Sequence, residues 1–478
     1  MIKLKIKLEN LKQAFILNKE SKTNNMFYNL TNSLKKIKLS QILIVVTVLI
    51  LALVAVYFVN KYVEQPQGAI LQDEELAISE NEIYINFLME IFDKIKDNYW
   101  RKMSEGELVQ YYKLIIEQIQ NEDQIMISSD KKGLEVLIDN LLNKVAQDKK
   151  QEFTVKLAGA ILNNLEPVGR NGLYSKKDEE NLMNMVQNID PSVNLYESLG
   201  VGSGASVDEI DKKYKEQQSE LTAVIGDTRK SEEERSQAKD KLALVERAYE
   251  TLSQERARKG YDETGAEATV IGELVHPDVF YLKLKRFSPQ TFDDFQQIVK
   301  EFDKGDSLNS LILDLRGNIG GSIDLLQYFL GPFIGLGNYA FEFFHQDEYT
   351  PFKTLIGWIP GLVRYKKVVI LVDSATQSSA EVMAAALKKY NVGVVLGVPT
   401  KGWGTVERVF ELENQISENE KYSMFLVHSL TLRDDNQPIE GRGVDPIINL
   451  NSTDWKNQFK EYFNSSSLLR AVESVISN

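Results

Sequence analysis

Apolar and polar positions divide this chain into segments with different periodicities. An unbroken apolar run, ILIVVTVLILALVAVYFV, occupies Ile42–Val59, with Thr47 and Tyr57 as its mildly polar members. At about 1.5 Å per residue in a helix, such a run can cross the core of a bilayer. The pattern therefore predicts one transmembrane helix at residues 41–60. A cleaved signal peptide is the alternative, but the run exceeds a usual signal-peptide core and a long leader precedes it.

Helical spacing dominates the next part of the chain. After a polar linker at residues 61–79, stretches such as NFLMEIFDKIKDNYW and LVQYYKLIIEQI predict a helical domain at residues 80–193. A turn around Pro191 separates it from a second helical module at residues 194–265. In that module Ser206, followed three residues later by Glu209, fits a capping box at the start of a helix.

The pattern changes again near residue 279. The segment VFYLKLKRFS alternates apolar and polar residues as a half-buried strand does. Two strand–turn–helix units follow, SLILDLRGNIGGSIDLLQYF and KKVVILVDSATQSSAEVMAAALKKY. Such units predict an α/β core of parallel strands at residues 270–450, with a site at the carboxyl ends of the strands. A C-terminal helix is predicted at residues 451–478.

Composition narrows the chemistry. A chain of 478 residues with 43% hydrophobic and 26% charged residues is long enough for two or three cores. The absence of cysteine excludes disulfides, thiolate zinc sites and a cysteine nucleophile. The three histidines, His276, His345 and His428, lie far apart without metal-ligand spacing, so no metal or cofactor is expected. None of them lies in a triad motif, and a catalytic site that uses lysine is favoured.

Charge predicts orientation and partners. Residues 1–40 hold nine lysines against Glu9 and Glu20, a basic tail of +7. Positive flanks stay in the cytoplasm, so we expect a cytoplasmic N-terminus, a single-pass membrane protein and an extracytoplasmic remainder. Because the whole chain carries −13, residues 41–478 carry −20, which argues against nucleic acid or anionic lipid as their partner. Residues 2–17 lie on the inner leaflet or form a disordered tail; both alternatives stay open.

Two features of the α/β core are able to carry chemistry. The glycine pair Gly320-Gly321 follows a strand and exposes backbone N–H groups, which suits an oxyanion hole. A serine at the start of the next helix is favoured as a nucleophile, because the helix dipole stabilises developing negative charge. Each feature also has a structural explanation, since glycine pairs form turns and serines cap helices.

The module at residues 194–265 resembles a J-domain. The resemblance rests on Leu195–Val201 (LYESLGV), Ala248–Ser253 (AYETLS) and Arg258–Asp262 (RKGYD). Where J-domains carry the His-Pro-Asp triplet that engages a chaperone ATPase, Thr222–Val224 (TAV) stands here. A chaperone partner is therefore not expected, and a packed spacer or protein-binding module is favoured.

The core resembles the C-terminal processing (tail-specific) serine peptidases, whose fold is of the crotonase/Clp-protease type. The resemblance extends over Phe280–Ser288, Leu311–Gly321, Val372–Glu381, Gly397–Val406 and Pro438–Pro446. It implies a polypeptide substrate and a Ser-Lys dyad, in which a buried lysine removes the serine proton. In this family a PDZ domain stands between the N-terminal helices and the core, and the J-like module takes that place here.

The resemblance also implies the site residues. Ser378 aligns with the nucleophile, and the backbone N–H groups of Ser379 and Gly320 align with the oxyanion hole. The family's lysine aligns with Trp403, and indole is a donor that cannot act as a base. Lys401, two residues upstream, is the candidate relocated base, because residues two apart on a strand share a face. An exposed strand lysine is the alternative for Lys401.

Two functions therefore remain open. One is a catalytically impaired family member, a pseudoenzyme that binds polypeptides or client proteins through the inherited cleft. The other is an active endopeptidase that trims extracytoplasmic proteins, with Ser378 as nucleophile and Lys401 as base.

Overall fold

The computed structural model describes residues 81–122, 128–303, 305–433 and 435–477. Its α-helices, numbered in chain order, are α1 (Glu82–Asn98), α2 (Glu105–Gln120), α3 (Lys131–Leu142), α4 (Lys150–Asn163), α5 (Lys176–Gln187), α6 (Leu195–Leu199), α7 (Val207–Gly226), α8 (Glu232–Leu252), α9 (Glu255–Thr264), α10 (Thr291–Glu301), α11 (Leu326–Ile334), α12 (Pro360–Val363), α13 (Ser379–Lys389), α14 (Trp455–Phe463) and α15 (Ser466–Ser477). Its strands are β1 (Gly172–Ser175), β2 (Val270–His276), β3 (Val279–Leu284), β4 (Ser310–Asp314), β5 (Tyr339–His345), β6 (Glu348–Lys353), β7 (Lys367–Val372), β8 (Val394–Gly397), β9 (Thr405–Glu411), β10 (Tyr422–Thr431) and β11 (Ile448–Asn449).

A six-stranded sheet in the order β11-β8-β7-β4-β3-β2 forms the centre of the α/β core. All neighbouring strands are parallel except β2, which runs antiparallel to β3. Every residue of β4 is buried, as expected for a parallel strand that is covered on both faces. Helices α10, α11 and α13 supply the core on one face, and α14 and α15 supply it on the other. The predicted α/β core is confirmed.

A second, five-stranded sheet connects the helical region to the core. It is antiparallel, in the order β1-β10-β5-β6, with β9 also paired to β10. Helices α1 to α4 pack on this sheet, where Phe87 and Leu88 share one apolar cluster with Met424 and Leu426 of β10. The helical N-terminal region therefore packs against β10, a strand that lies more than 200 residues later in the chain.

The J-like module has a small core of its own, made by helices α6 to α9. The rings of Tyr214 on α7 and Tyr249 on α8 stack with their centroids 3.9 Å apart. The predicted capping box is confirmed, since Ser206 and Glu209 exchange side-chain and backbone hydrogen bonds at the start of α7.

The loop between α7 and α8 begins later in the chain than the J-domain resemblance implied. Thr222–Val224 lies in the last turns of α7, which continues to Gly226. Leu221 and Val224 pack into the module's core, so extending the helix is favourable. The connecting loop is Asp227-Thr228-Arg229-Lys230-Ser231, which also lacks a His-Pro-Asp triplet.

One sequence prediction about the fold is corrected. A transmembrane helix at residues 41–60 and a single-pass membrane location were expected, and that segment lies outside the described residues. Among the helices described from residue 81 to residue 477, none combines the length and the apolar character needed to cross a bilayer. The longest of them, α8, carries a charged residue in almost every turn, including Glu232, Arg235 and Lys241. The membrane part of the predicted fold class and the predicted location are therefore withdrawn.

Candidate active site

Ser378 lies at the carboxyl end of β7, just before helix α13. Its backbone has φ 57° and ψ −129°, a conformation that side-chain-bearing residues rarely adopt. The residues before it are fixed to the end of β4: the Thr376 hydroxyl donates to the carbonyl of Leu315 (2.9 Å), and the Gln377 N–H donates to the carbonyl of Asn318 (2.9 Å). Two neighbouring parallel strands thus hold the serine in its strained conformation.

Glu381, one turn into α13, ties this serine to the loop that carries Trp403. Its carboxylate accepts hydrogen bonds from the N–H groups of Ser378 (2.9 Å), Gly402 (2.7 Å) and Trp403 (2.8 Å), and from the hydroxyl of Thr400. Burial raises the pKa of this carboxyl, and these hydrogen bonds act in the opposite direction. Glu381 therefore sets the position of the nucleophile candidate relative to residues 400–403.

Gly320 lies directly beside Ser378. Its φ is +92°, and a methyl group built on it would lie 2.7 Å from the Ser378 Cβ and 3.0 Å from its Oγ, so a side chain does not fit. The Gly320 N–H, expected in an oxyanion hole, donates to the side-chain oxygen of Asn318 (2.8 Å). Ser379 is buried, and its hydroxyl donates to the carbonyl of Gly321 (2.9 Å). An oxyanion at Gly320 would compete with the amide of Asn318.

Trp403 is held on several sides. Its ring N–H donates to Oε1 of Glu407 at 3.0 Å, and the guanidinium carbon of Arg170 lies 3.4 Å from the centre of its ring. Arg170 pairs with Glu440 at 3.1 Å, and both side chains are less than a fifth exposed. Glu440 in turn accepts the N–H of Gly404 at 2.8 Å. The indole at the family's lysine position is therefore a packed and hydrogen-bonded part of the structure.

Lys401 occupies a different environment. It is exposed, and its Nζ lies 5.5 Å from the centre of the Trp403 ring. Residues 401–404 precede β9 and are not a regular strand; Gly402, with φ +79°, interrupts the two-residue alternation assumed from the sequence. The Lys401 side chain does not line the cleft that contains Ser378.

That cleft has a volume of about 450 Å³ and brings Ser378, Trp403 and Glu407 together. Apolar side chains form much of its wall: Leu182, Val186, Ile319, Ile323, Val406, Phe343 and Phe425. Burial raises the pKa of the Glu407 carboxyl, while hydrogen bonds from Thr405 and Trp403 act against this shift. A cleft with a largely apolar wall and polar groups beside Ser378 suits a polypeptide segment.

Sequence reasoning missed two groups that shape this site. Glu381 had a usable signal, because Ser378 and Glu381 have the spacing of a capping box. Arg170 had none, because its partner Glu440 lies 270 residues away and no local pattern connects them.

A strained serine between two parallel strands, beside a glycine that accepts no side chain, forms a candidate site at the carboxyl edge of the α/β sheet. The family model for peptidase family S41 matches residues 278–450, and the model for the DnaJ domain matches residues 194–262. Residues 278–450 are therefore a domain similar to the C-terminal processing peptidases, and residues 194–262 are a J-domain-like insert before it.

Individual known proteins are similar to part of this chain. The carboxy-terminal-processing protease of Bartonella bacilliformis is 26% identical over 178 residues, which cover 36% of this chain and 39% of the relative. Carboxy-terminal processing protease CtpB of Bacillus subtilis is 25% identical over 182 residues, 37% of this chain and 35% of the relative. Among solved structures, a photosystem II D1 C-terminal processing protease matches with 23% identity and a TM-score of 0.32, over 36% of this chain and 42% of that one. The chain thus matches less than two fifths of the length of these curated relatives.

Proposed function

We propose that this protein binds extended polypeptide segments in the cleft at Ser378 and that its capacity to hydrolyse them is impaired. The observation that supports this is the environment of Trp403. Its indole N–H donates to Glu407, its ring packs against Arg170, and it lines the cleft together with Ser378. The position that the family uses for a base therefore holds a group that has no proton-accepting atom.

The expected loss of rate is large. A positioned general base contributes roughly 10²- to 10⁴-fold to such reactions, and a serine hydroxyl without one is a weak nucleophile. The Gly320 N–H is also engaged by Asn318, so stabilisation of an oxyanion requires that this hydrogen bond be broken. Binding depends on neither group, because the apolar wall of the cleft is intact.

An active endopeptidase is the second candidate, with Ser378 as nucleophile and Lys401 as base. One observation favours it: the Lys401 amine lies 5.5 Å from the ring of Trp403, which itself lines the cleft. A lysine side chain has four rotatable bonds between its backbone and its amine, so a change of rotamer moves the amine by several ångströms.

A cleavage assay with the purified full-length chain separates the two candidates. The substrate is an unfolded fluorescein-labelled protein, and the natural sequence is compared with Ser378→Ala, Lys401→Ala and Trp403→Lys. We expect no cleavage by the natural sequence and measurable cleavage by Trp403→Lys. Cleavage by the natural sequence that is abolished by both alanine substitutions would establish the endopeptidase instead.

Binding is tested separately with Ser378→Ala, so that any cleavage is removed. Fluorescence anisotropy of the same unfolded protein should show saturable binding. Val186→Asp places a charge in the cleft wall and should weaken it, whereas Met183→Asp, on the same helix but 55% exposed and outside the cleft lining, should not. Equal affinities of these two variants would contradict binding in this cleft.

A further inference from the structure

A second cavity, of about 520 Å³, lies where the J-like module meets the α/β core. Five cations from both parts of the chain line it: Arg247, Lys283, Lys285, Arg286 and Arg316. Arg286 and Met185 also line the cleft that contains Ser378, so the two spaces adjoin. The proposed polypeptide site and this basic cavity therefore share a wall.

Four of these five cations are matched by carboxylates. Arg247 pairs with Asp190 (2.9 Å) and with Glu267. Lys285 and Lys283 both face Glu250, at 2.6 Å and 3.8 Å. The fourth matched cation, Arg316, pairs with Asp314 at 2.7 Å. Four cations of the cavity thus form ion pairs with four carboxylates.

Arg286 is the cation of this set that has no carboxylate within ion-pair distance among the residues the structure describes; Glu267, which is paired with Arg247, attracts it from farther away. One of its terminal nitrogens donates to the carbonyl of Met185, and its Nε is buried without a hydrogen-bond partner. Burial lowers the pKa of the Arg286 guanidinium, which shows that its charge is poorly solvated there. A guanidinium in such a place is stabilised most by a planar anion that accepts two parallel hydrogen bonds.

We propose that this cavity binds a carboxylate of the polypeptide that occupies the cleft, and that Arg286 is the group that pairs with it. The inference rests on the proposed polypeptide binding. It assigns to the junction of the J-like module and the core a role in selecting the bound segment. The carboxylate comes from a free C-terminus or from an acidic side chain, and the test separates these sources.

A carboxylate fits this cavity better than phosphate does. It brings a single negative charge to Arg286, the lining cation that is in none of these ion pairs. Asp190 and Glu267 also line the cavity, so a phosphate dianion would meet two carboxylates there.

The test uses the full-length chain with the Ser378→Ala substitution and a neutral fluorescein-labelled peptide in three forms. One form ends in a free carboxylate, one in an amide, and one in an amide preceded by glutamate. Loss of one charge-assisted hydrogen-bonded pair corresponds to about tenfold in affinity. We expect the amide to bind about tenfold more weakly than the free acid. The affinity of the glutamate form shows whether a side-chain carboxylate can take the place of the C-terminal one.

Substitutions at Arg286 show whether this residue causes the difference in affinity between the acid and the amide. In Arg286→Gln the free acid should bind as weakly as the amide, and Arg286→Lys, which keeps the charge, should retain part of the difference. Arg229→Gln removes an equal charge from a side chain that is 88% exposed and should change nothing. The proposal would be overturned if the chain with Ser378→Ala alone bound the free acid and the amide equally well. It would also be overturned if the difference between the two peptides remained after Arg286→Gln. Circular dichroism establishes that each variant is folded.

A second measurement keeps the cavity testable if no peptide binds, which would refute the proposed function itself. N-acetylalanine and inorganic phosphate are compared at equal ionic strength for their effect on the unfolding temperature. N-acetylalanine should raise this temperature for the parent but not for Arg286→Gln. The absence of that rise, or a rise with phosphate alone, rules out a carboxylate site at Arg286.

Discussion

The S41-like core and the J-like module each depart from the motif that their resemblance implies, but the two departures lie in different surroundings. In the core, Trp403, at the position where the resemblance implies lysine, is fixed by Glu407, Arg170 and the backbone contact to Glu381. In the module, the loop 227–231 replaces the triplet with exposed charged residues. The core substitution is part of a buried network, whereas the loop substitution lies in solvent.

This difference separates positions whose substitution should disturb the fold from positions whose substitution should not. A buried group with several partners affects both stability and site geometry when it is changed. Substitution of an exposed loop residue affects neither stability nor site geometry, and acts only on binding to a partner. The following predictions test this distinction, from the largest expected effect to the smallest.

Glu381→Ala should cause the largest loss of stability. It leaves the buried N–H groups of Ser378, Gly402 and Trp403 without their acceptor, and each unsatisfied group costs about 1–3 kcal/mol. We expect the free energy of unfolding to fall by about 3–5 kcal/mol in urea titrations. Glu381→Gln, which keeps one acceptor oxygen, should lose less. A loss below about 1 kcal/mol for the alanine variant would show that the network is not structural.

Leu199→Ala tests the module by itself. Leu199 is fully buried in the module's own core, so its truncation should cost about 2–4 kcal/mol. Limited proteolysis should then cut faster within residues 194–262 while residues 278–450 stay resistant. Simultaneous cutting of both regions would mean that the module and the core unfold as one unit.

Arg170→Ala and Arg229→Ala compare one arginine from each region. Arg170 is 17% exposed, stacks on Trp403 and pairs with Glu440, so its loss should cost about 2 kcal/mol. Arg229 pairs with Asp227 on the loop surface, and its removal should leave the urea midpoint unchanged. Similar shifts in the two midpoints would contradict the distinction between buried and exposed positions.

Glu407→Gln should change the dependence of stability on pH. Because burial raises the pKa of Glu407 above its usual 4.5, the folded state keeps this proton to higher pH than the unfolded state does. The contribution of Glu407 to stability therefore falls as pH rises above about 4.5, and this fall levels off above the folded-state pKa. Urea titrations at several pH values should show Glu407→Gln gaining on the natural sequence as pH rises. A gain that grows toward acid pH would reverse the inferred sign.

Parts of this structure follow from local sequence pattern. The continuous apolar strands β4 and β7, each followed by small residues and a helix, were enough to predict the α/β core. The Ser206 and Glu209 capping box was predictable because its two residues lie within one helical turn.

Other parts depend on contacts that no local pattern records. The two-residue alternation used for Lys401 and Trp403 assumes a regular strand, but β9 begins at Thr405 and Gly402 turns the chain before it. The apolar run at Ile42–Val59 was interpreted by length alone, and the described helices give no membrane span.

By itself, the sequence determined the α/β class, the serine at the start of α13, the absence of cysteine chemistry and the tryptophan at the lysine position. These depend on residue identity and on short-range periodicity, which are properties of the chain alone. Only the tertiary structure decided that Trp403 is fixed by Arg170 and Glu407, that Lys401 is exposed, and that Arg286 joins the cleft to a basic cavity. Burial, pairing and orientation depend on residues hundreds of positions apart, and folding alone brings those residues into contact.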